Sequence, residues 1–351
     1  MPAHVISSEQ QRDRMLYTPI PKLIVSLSVP TLASQLISVF YNTADTYFVS
    51  KLSTSASAAV GVVFSLMSII QAFGFGIGMG CGSIISRSLG NRDNERADRT
   101  ASSAFFFAAA VGLLICIAGL CTLRPLMRLL GSTETILPYS ESYARIILLA
   151  APIMCASFVL SNTLRSEGEA MLSMYGICTG GLLNVALDPL FIFVFDMGIA
   201  GAAGATVIAQ YVSGAGLLIY VVSKCKDVLP KRNDLHCDRG ILREIVSMSS
   251  LTCAQQSVMN FGILMVQGLV NSFGATTMAA FAAAVKIDTF AYLPVQDFGN
   301  AYSTFVAQNY GGKDYGRIQK GTKEAFAISI VFSIIISILV CTFAASLMEI
   351  F

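Results

Sequence analysis

Residues 88–105, SLGNRDNERADRTASSAF, and residues 309–326, NYGGKDYGRIQKGTKEAF, are two polar stretches that align without a gap at a shift of 221 positions. Gly90, Asp93, Arg96, Ala104 and Phe105 of the first recur as Gly311, Asp314, Arg317, Ala325 and Phe326 of the second. Outward in the same register, IVSLSVPT (24–31) falls on IVSMSSLT (245–252), and Ala33 and Gln35 fall on Ala254 and Gln256. Apolar helices resemble one another because they draw on the same few residues. Agreement inside a polar connection has no such explanation. The register predicts two units of six helices pointing the same way, the pattern of membrane folds built from parallel repeats. On that register Phe351 corresponds to Leu130, so the chain is expected to hold a complete first unit and three helices of a second, as a fragment or truncated product.

The composition agrees with a membrane setting. Hydrophobic residues are 54% of the 351 and charged residues 13%, against about 25% charged in soluble domains. A bilayer core needs about 20 mostly apolar residues per helix. Segments of that kind lie at roughly 23–50, 57–85, 101–123, 139–161, 170–194, 199–222, 243–271, 278–308 and 324–347. Period-two alternation is absent, which argues against a barrel. The expected fold is an all-α polytopic membrane protein of about nine transmembrane helices. Its parts are a tail (1–22), a first lobe (23–223), a linker (224–242) and a partial second lobe (243–351).

Orientation follows from the positive-inside rule. With the N-terminus in the cytoplasm, 18 of the 23 Lys and Arg fall in inner segments and three (Lys51, Arg124, Arg128) in outer ones, leaving Arg145 and Lys286 inside spans. Arg165 counts among the inner residues of the fourth-to-fifth connection. Residues 1–22 hold no long apolar run, so no cleavable signal peptide is expected. Nine cysteines without a CxxC pair, and histidines only at positions 4 and 236, offer no zinc framework.

A carboxylate inside a span is expensive and therefore a functional candidate. Asp45 lies in VFYNTADTYFV, one helical turn after Tyr41, and Asp188 lies in LLNVALDPLFIF, one turn after Asn184. Pro189 cannot donate to the carbonyl of Val185. A freed carbonyl beside a carboxylate and an amide makes an oxygen-rich setting for a hard monovalent cation. Burial disfavours the charged form of an aspartate, so the same site can take a proton instead. The plainer alternative is that both aspartates pair with helix-end groups at the outer water boundary. Lys286, Asp288 and Asp297 fall in the eighth span, where wetting at an outer end competes with a role toward substrate. GFGIGMGCG (74–82) looks like a phosphate loop, but its glycines fall on helix faces at small-xxx-small spacing, which predicts close helix packing.

YNTADTYFVSKL, SLGNRDNERADR, NTLRSEG (162–168) and NVALDP (184–189), in this order, resemble the MATE (multidrug and toxic compound extrusion) transporters, and within them the DinF-like prokaryotic branch. The likeness runs from about residue 20 to the end. It implies two six-helix lobes around a central cavity and alternating-access export of organic cations or amphipathic drugs in exchange for Na⁺ or H⁺. It also implies a first-lobe ion site at Asp45, Asn184, Asp188 and Thr206, with Tyr41 and Asn162 as polar residues lining the same pocket. The resemblance departs at the end of the chain, where the family's last three helices have no counterpart.

The expected protein is thus a multi-pass inner-membrane antiporter. It is expected to be monomeric and not an enzyme, with no cofactor beyond the coupling ion and no nucleic-acid partner. Lys286 and Asp288 join the candidate polar lining. A flippase for anionic lipid-linked sugars is the alternative in the same superfamily; it calls for several basic residues in the cavity, of which Lys286 is the one candidate. A non-transporting remnant is the third reading.

Overall fold

Several of the long helices begin at a start signal in the sequence, and some run well past their apolar stretch. The computed structural model describes residues 8–224, 239–271 and 273–348. A short helix α1 (Ser8–Tyr17) leads into α2 (Ile20–Ser50), which opens on Pro21 in its first turn, where a missing N–H costs nothing. Ser53 caps α3 (Thr54–Gly90) by accepting from the Ala56 amide at 3.0 Å. Next come α4 (Asn94–Cys121), the short α5 (Leu123–Leu129), α6 (Leu137–Ser166) and α7 (Ala170–Pro189). One π-helical turn, Leu190–Val194, separates α7 from α8 (Gly198–Lys224). The remainder is α9 (Arg239–Asn271), α10 (Ala275–Gly311) and α11 (Tyr315–Met348).

Seven of these elements are long and apolar enough to cross a bilayer: α2, α3, α4, α6, α7 with its π turn, α8 and α11. The seventh and eighth apolar stretches of the sequence lie on α9 and α10, helices of 33 and 37 residues. The stretch 88–105 is much less of a loop than its polarity suggests. Residues 88–90 finish α3, residues from 94 onward belong to α4, and a turn at Asn91–Asp93 joins them. Hydropathy marks the segment in contact with lipid, whereas the helix continues into water until the left-handed Arg92 ends it and the Asp93 side chain caps the start of α4.

Two turns at this basic end have the same construction. Arg92 and Lys313 both take left-handed backbone, at φ 64° and 59°. Asp93 accepts from the Arg96 amide at 3.0 Å, and Asp314 from the Arg317 amide at 2.9 Å. The pairs 92/313, 93/314 and 96/317 are each 221 apart.

Helix α6 sits at the centre of the first bundle, packed against α3, α4, α7 and α8, while α2 lies on α7. The glycines of 74–82 explain the closeness. Gly74, Gly78 and Gly82 face α6, with Cys155, Asn162 and Ser166 directly opposite, and Gly76 and Gly80 face Cys253 and Ser249 of α9. A Cβ at Gly80 would stand 2.7 Å from the Ser249 backbone nitrogen. The stretch is a two-sided packing surface, as its spacing indicates. Helices α9 and α10 pack on α3, and α10 also on α2. Where α3 crosses α10, Gly90 lies against the Gln308 carbonyl and Gly311 against that of Arg87, leaving no room for a side chain at either glycine.

Candidate functional site

Three helices of the first bundle bring their buried polar residues to one place. Asp45 from α2 is 8% exposed, Asn184 and Asp188 from α7 are 2% and 0%, and Thr206 from α8 is 5%. The Asn184 amide donates to Asp188 Oδ1 at 3.3 Å and to Thr206 Oγ1 at 3.2 Å, tying α7 to α8. Tyr143 of α6, 1% exposed, donates from its hydroxyl to Asp45 Oδ2 at 3.4 Å. A small cavity of about 60 Å³ is lined by Tyr41, Asn42, Asp45, Tyr143, Asn184 and Thr206 together with apolar residues of α3.

The hydrogen bonds leave a pattern. Asp45 Oδ1, Asn184 Oδ1 and Asp188 Oδ2 are buried acceptors without a partner. Buried polar groups are almost always satisfied, and an orphaned one costs about 1–3 kcal/mol. Three such oxygens from two helices, beside the Thr206 hydroxyl, are of the kind that a hard cation takes. Protonating one carboxyl would relieve the same deficit, because a neutral acid becomes a donor. The residues present therefore fit either occupant.

Tyr41 reaches this pocket and also the larger one next to it, pressed against α7 where Gly181 leaves space for its ring. The larger cavity, about 320 Å³, is lined by Gln35, Gln71, Phe75, Asn162, Arg165 and Gln296 among others, and shares Asn184 and Thr206 with the small pocket. Asn162 lies on the wall of this large cavity together with Tyr41, Asn184 and Thr206, and does not reach the small pocket. It follows Tyr143 on α6 by five helical turns at 3.6 residues per turn, too far along the axis to reach the same chamber.

Two further expectations change. Asp288 is exposed on α10 and lines neither cavity. The Lys286 side chain lies outside the described residues. On the same helix the buried carboxylate is Asp297, 1% exposed, with both oxygens unpartnered. Arg165, counted in sequence as a connection residue, ends α6 with its side chain half-buried, lining the cavity and donating from Nε to Ser173 Oγ at 3.2 Å. Tyr143 was not singled out from sequence, where it stands in a polar stretch, YSESYAR (139–145), that gives no sign of which residue is sealed.

The sequence pattern of the MatE family matches residues 30–190 and 251–351. The chain belongs to this family. It is a multi-pass membrane protein whose relatives are transporters. Among curated proteins, the multidrug export protein MepA of Staphylococcus aureus (strain MRSA252) is 25% identical over 338 residues, covering 95% of this chain and 74% of MepA. The probable multidrug resistance protein YoeA of Bacillus subtilis (strain 168) is 26% identical over 308 residues, or 86% and 66% of the two chains. Among solved structures, a MATE protein in a bent conformation superposes with a TM-score of 0.90 at 27% identity, over 96% of this chain and 75% of that one. A MOP-superfamily transporter from Pyrococcus furiosus gives 0.87 at 27% identity, over 95% and 74%.

Proposed function

We propose that this MATE protein is a cation-coupled antiporter that expels amphipathic and cationic compounds by alternating access. The observation that carries the reading is the trio of orphaned buried oxygens on Asp45, Asn184 and Asp188. The coupling ion, Na⁺ or H⁺, occupies that pocket with Thr206 as the fourth polar group. The exported compound occupies the 320 Å³ cavity beside it. The two chambers share Tyr41, Asn184 and Thr206. Reorienting these side chains around an ion reshapes the wall that the cargo contacts, so each occupant alters the other's affinity, and linkage makes the effect reciprocal.

The first lobe (23–223) supplies the ion pocket, and the second, beginning at 243, supplies the opposite wall through Gln296. The N-terminus and the basic turns at 91–93 and 312–314 face the cytoplasm, as the Lys and Arg distribution favours. The reciprocal seating of Gly90 and Gly311 supports a conformation closed on that side. The bulk apolar surface of α11, with Ile334, Ile335 and Ile338 exposed, suits a helix facing lipid.

The test is efflux of a fluorescent cationic dye driven by an imposed Na⁺ or H⁺ gradient in proteoliposomes. Asp45→Asn at equal reconstitution is expected to abolish gradient-driven efflux. Unchanged efflux would remove the proposed role of the pocket.

A further inference from the structure

Asp297 is a carboxylate placed where a carboxylate is hard to keep. It lies in the middle third of α10, 1% exposed, and neither oxygen accepts a hydrogen bond. The polar groups that face it are Arg165, from the end of α6, and Asn300, one turn further along its own helix. Arg165 and Asp297 interact through space, yet no ion pair within bonding distance joins them among the described residues. Arg165 is held to one side by its bond to Ser173 Oγ. Asp297's neighbours open into two chambers: Gln296 lines the large cavity, and Asn300 lines a smaller one of about 50 Å³ that Arg165 and Asn162 also border. Asp297 itself lines neither chamber; it stands on α10 between residues that line both, one residue away from the place assigned to cargo.

We infer that Asp297 is the anchor for the positive charge of the exported compound, and that Arg165 is its built-in competitor. A buried anion without a hydrogen-bond partner is strongly unfavourable in apolar surroundings, so a cation that reaches it gains by settling there. Two cations cannot share one sealed carboxylate without repulsion. When the helices part on the basic side, Asp297 becomes reachable and cargo displaces the influence of Arg165. With Gly90 and Gly311 together, as here, Arg165 stays within electrostatic range of Asp297, and its charge opposes a cargo cation held there. Selectivity for positively charged cargo then comes from one residue of α10, while the ion pocket sets direction. The inference rests on the export reading and gives it a charge-reading residue.

The experiment compares binding of a permanent cation, tetraphenylphosphonium, with that of neutral triphenylphosphine oxide to the purified 351-residue chain in lipid nanodiscs. Asp297→Asn is expected to weaken the cation by about tenfold or more and leave the neutral compound unchanged. Asp297→Glu, which keeps the charge, is expected to stay near wild type and controls for folding. Arg165→Gln is expected to tighten the cation several-fold, whereas a purely structural arginine would weaken both probes on removal. Wild-type cation affinity in Asp297→Asn, or equal loss of both probes, overturns the anchor alone. A wild-type chain that binds neither probe overturns the export reading along with it.

Discussion

At the scale of single residues, the pocket is defined more by bonds left unmade than by those formed. Asn184 spends its donors on Asp188 and Thr206, and its own oxygen stays unpartnered. Removing it cuts both ties while leaving two carboxylates near each other. Asp45 and Asp188 lie within electrostatic range, so a cation is the natural third party. Sodium is expected to raise the melting temperature of the wild-type protein, with a gain of about 2.7 kcal/mol at a hundred times its Kd. The gain should vanish in Asp45→Asn and in Asp188→Asn. Lowering the pH should shrink the sodium effect in the wild type, because protons compete for the same oxygens. A melting series over salt and pH reads both, and an undiminished sodium effect in Asp188→Asn would argue that the ion sits elsewhere. Tyr143→Phe removes the hydroxyl that holds Asp45 and should cost about 1 kcal/mol of stability in the same assay.

The helices place these residues through features that short motifs record well. Pro189 withholds a donor at the end of α7, and the π turn at Leu190–Val194 follows it directly; π turns often accompany functional sites. The glycine stretch of α3 works by subtraction: no side chain at 78 or 80 lets α6 and α9 approach from two directions. Gly78→Val should destabilise the protein by about 1–3 kcal/mol, the usual range for overpacking. Gly61→Ala, on the same helix with open space around it, should change little. Thermal unfolding in detergent separates the two, and equal behaviour would mean that the 74–82 stretch is not a packing surface. The motifs that carried the family resemblance made these placements legible. The faces of α10 were not legible, since its carboxylates at 288 and 297 differ by two and a half helical turns and only contacts with α2 and α3 decide which is sealed.

Across the whole molecule, the basic end is where the two groups of helices are joined. The Ser166 carbonyl accepts from Ser86 Oγ at 3.1 Å and from Gln308 Nε2 at 2.8 Å, so α3, α6 and α10 meet at one oxygen. Arg96 pairs with Glu244 at 2.7 Å across α4 and α9; both are partly exposed, so the pair contributes about 1 kcal/mol or less. The backbone contact at Gly90 and Gly311 is the tighter constraint. Gly311→Val should wedge this end apart, slow export, and raise the labelling rate of a single cysteine introduced at Ser83 by a reagent applied from the basic side. Neutralising the Arg96–Glu244 pair should have a much smaller effect on labelling. Wild-type labelling in Gly311→Val would rule out the glycine contact as a seal.

What the residues alone determined was local and periodic: where apolar stretches are long enough for a bilayer, which glycines share a face, and that Asp45, Asn184 and Asp188 repay attention. Those conclusions follow from solvent preference and from spacing along one helix, both of which are properties of neighbours in the chain. Tertiary structure decided the rest. It brought Tyr143 onto Asp45, set Asn162 on the wall of the large cavity, left Asp288 exposed and sealed Asp297 near Arg165. Such meetings depend on the rotation and axial offset of one helix against another. Those quantities are fixed by the summed packing of many side chains, so no single stretch of sequence carries them.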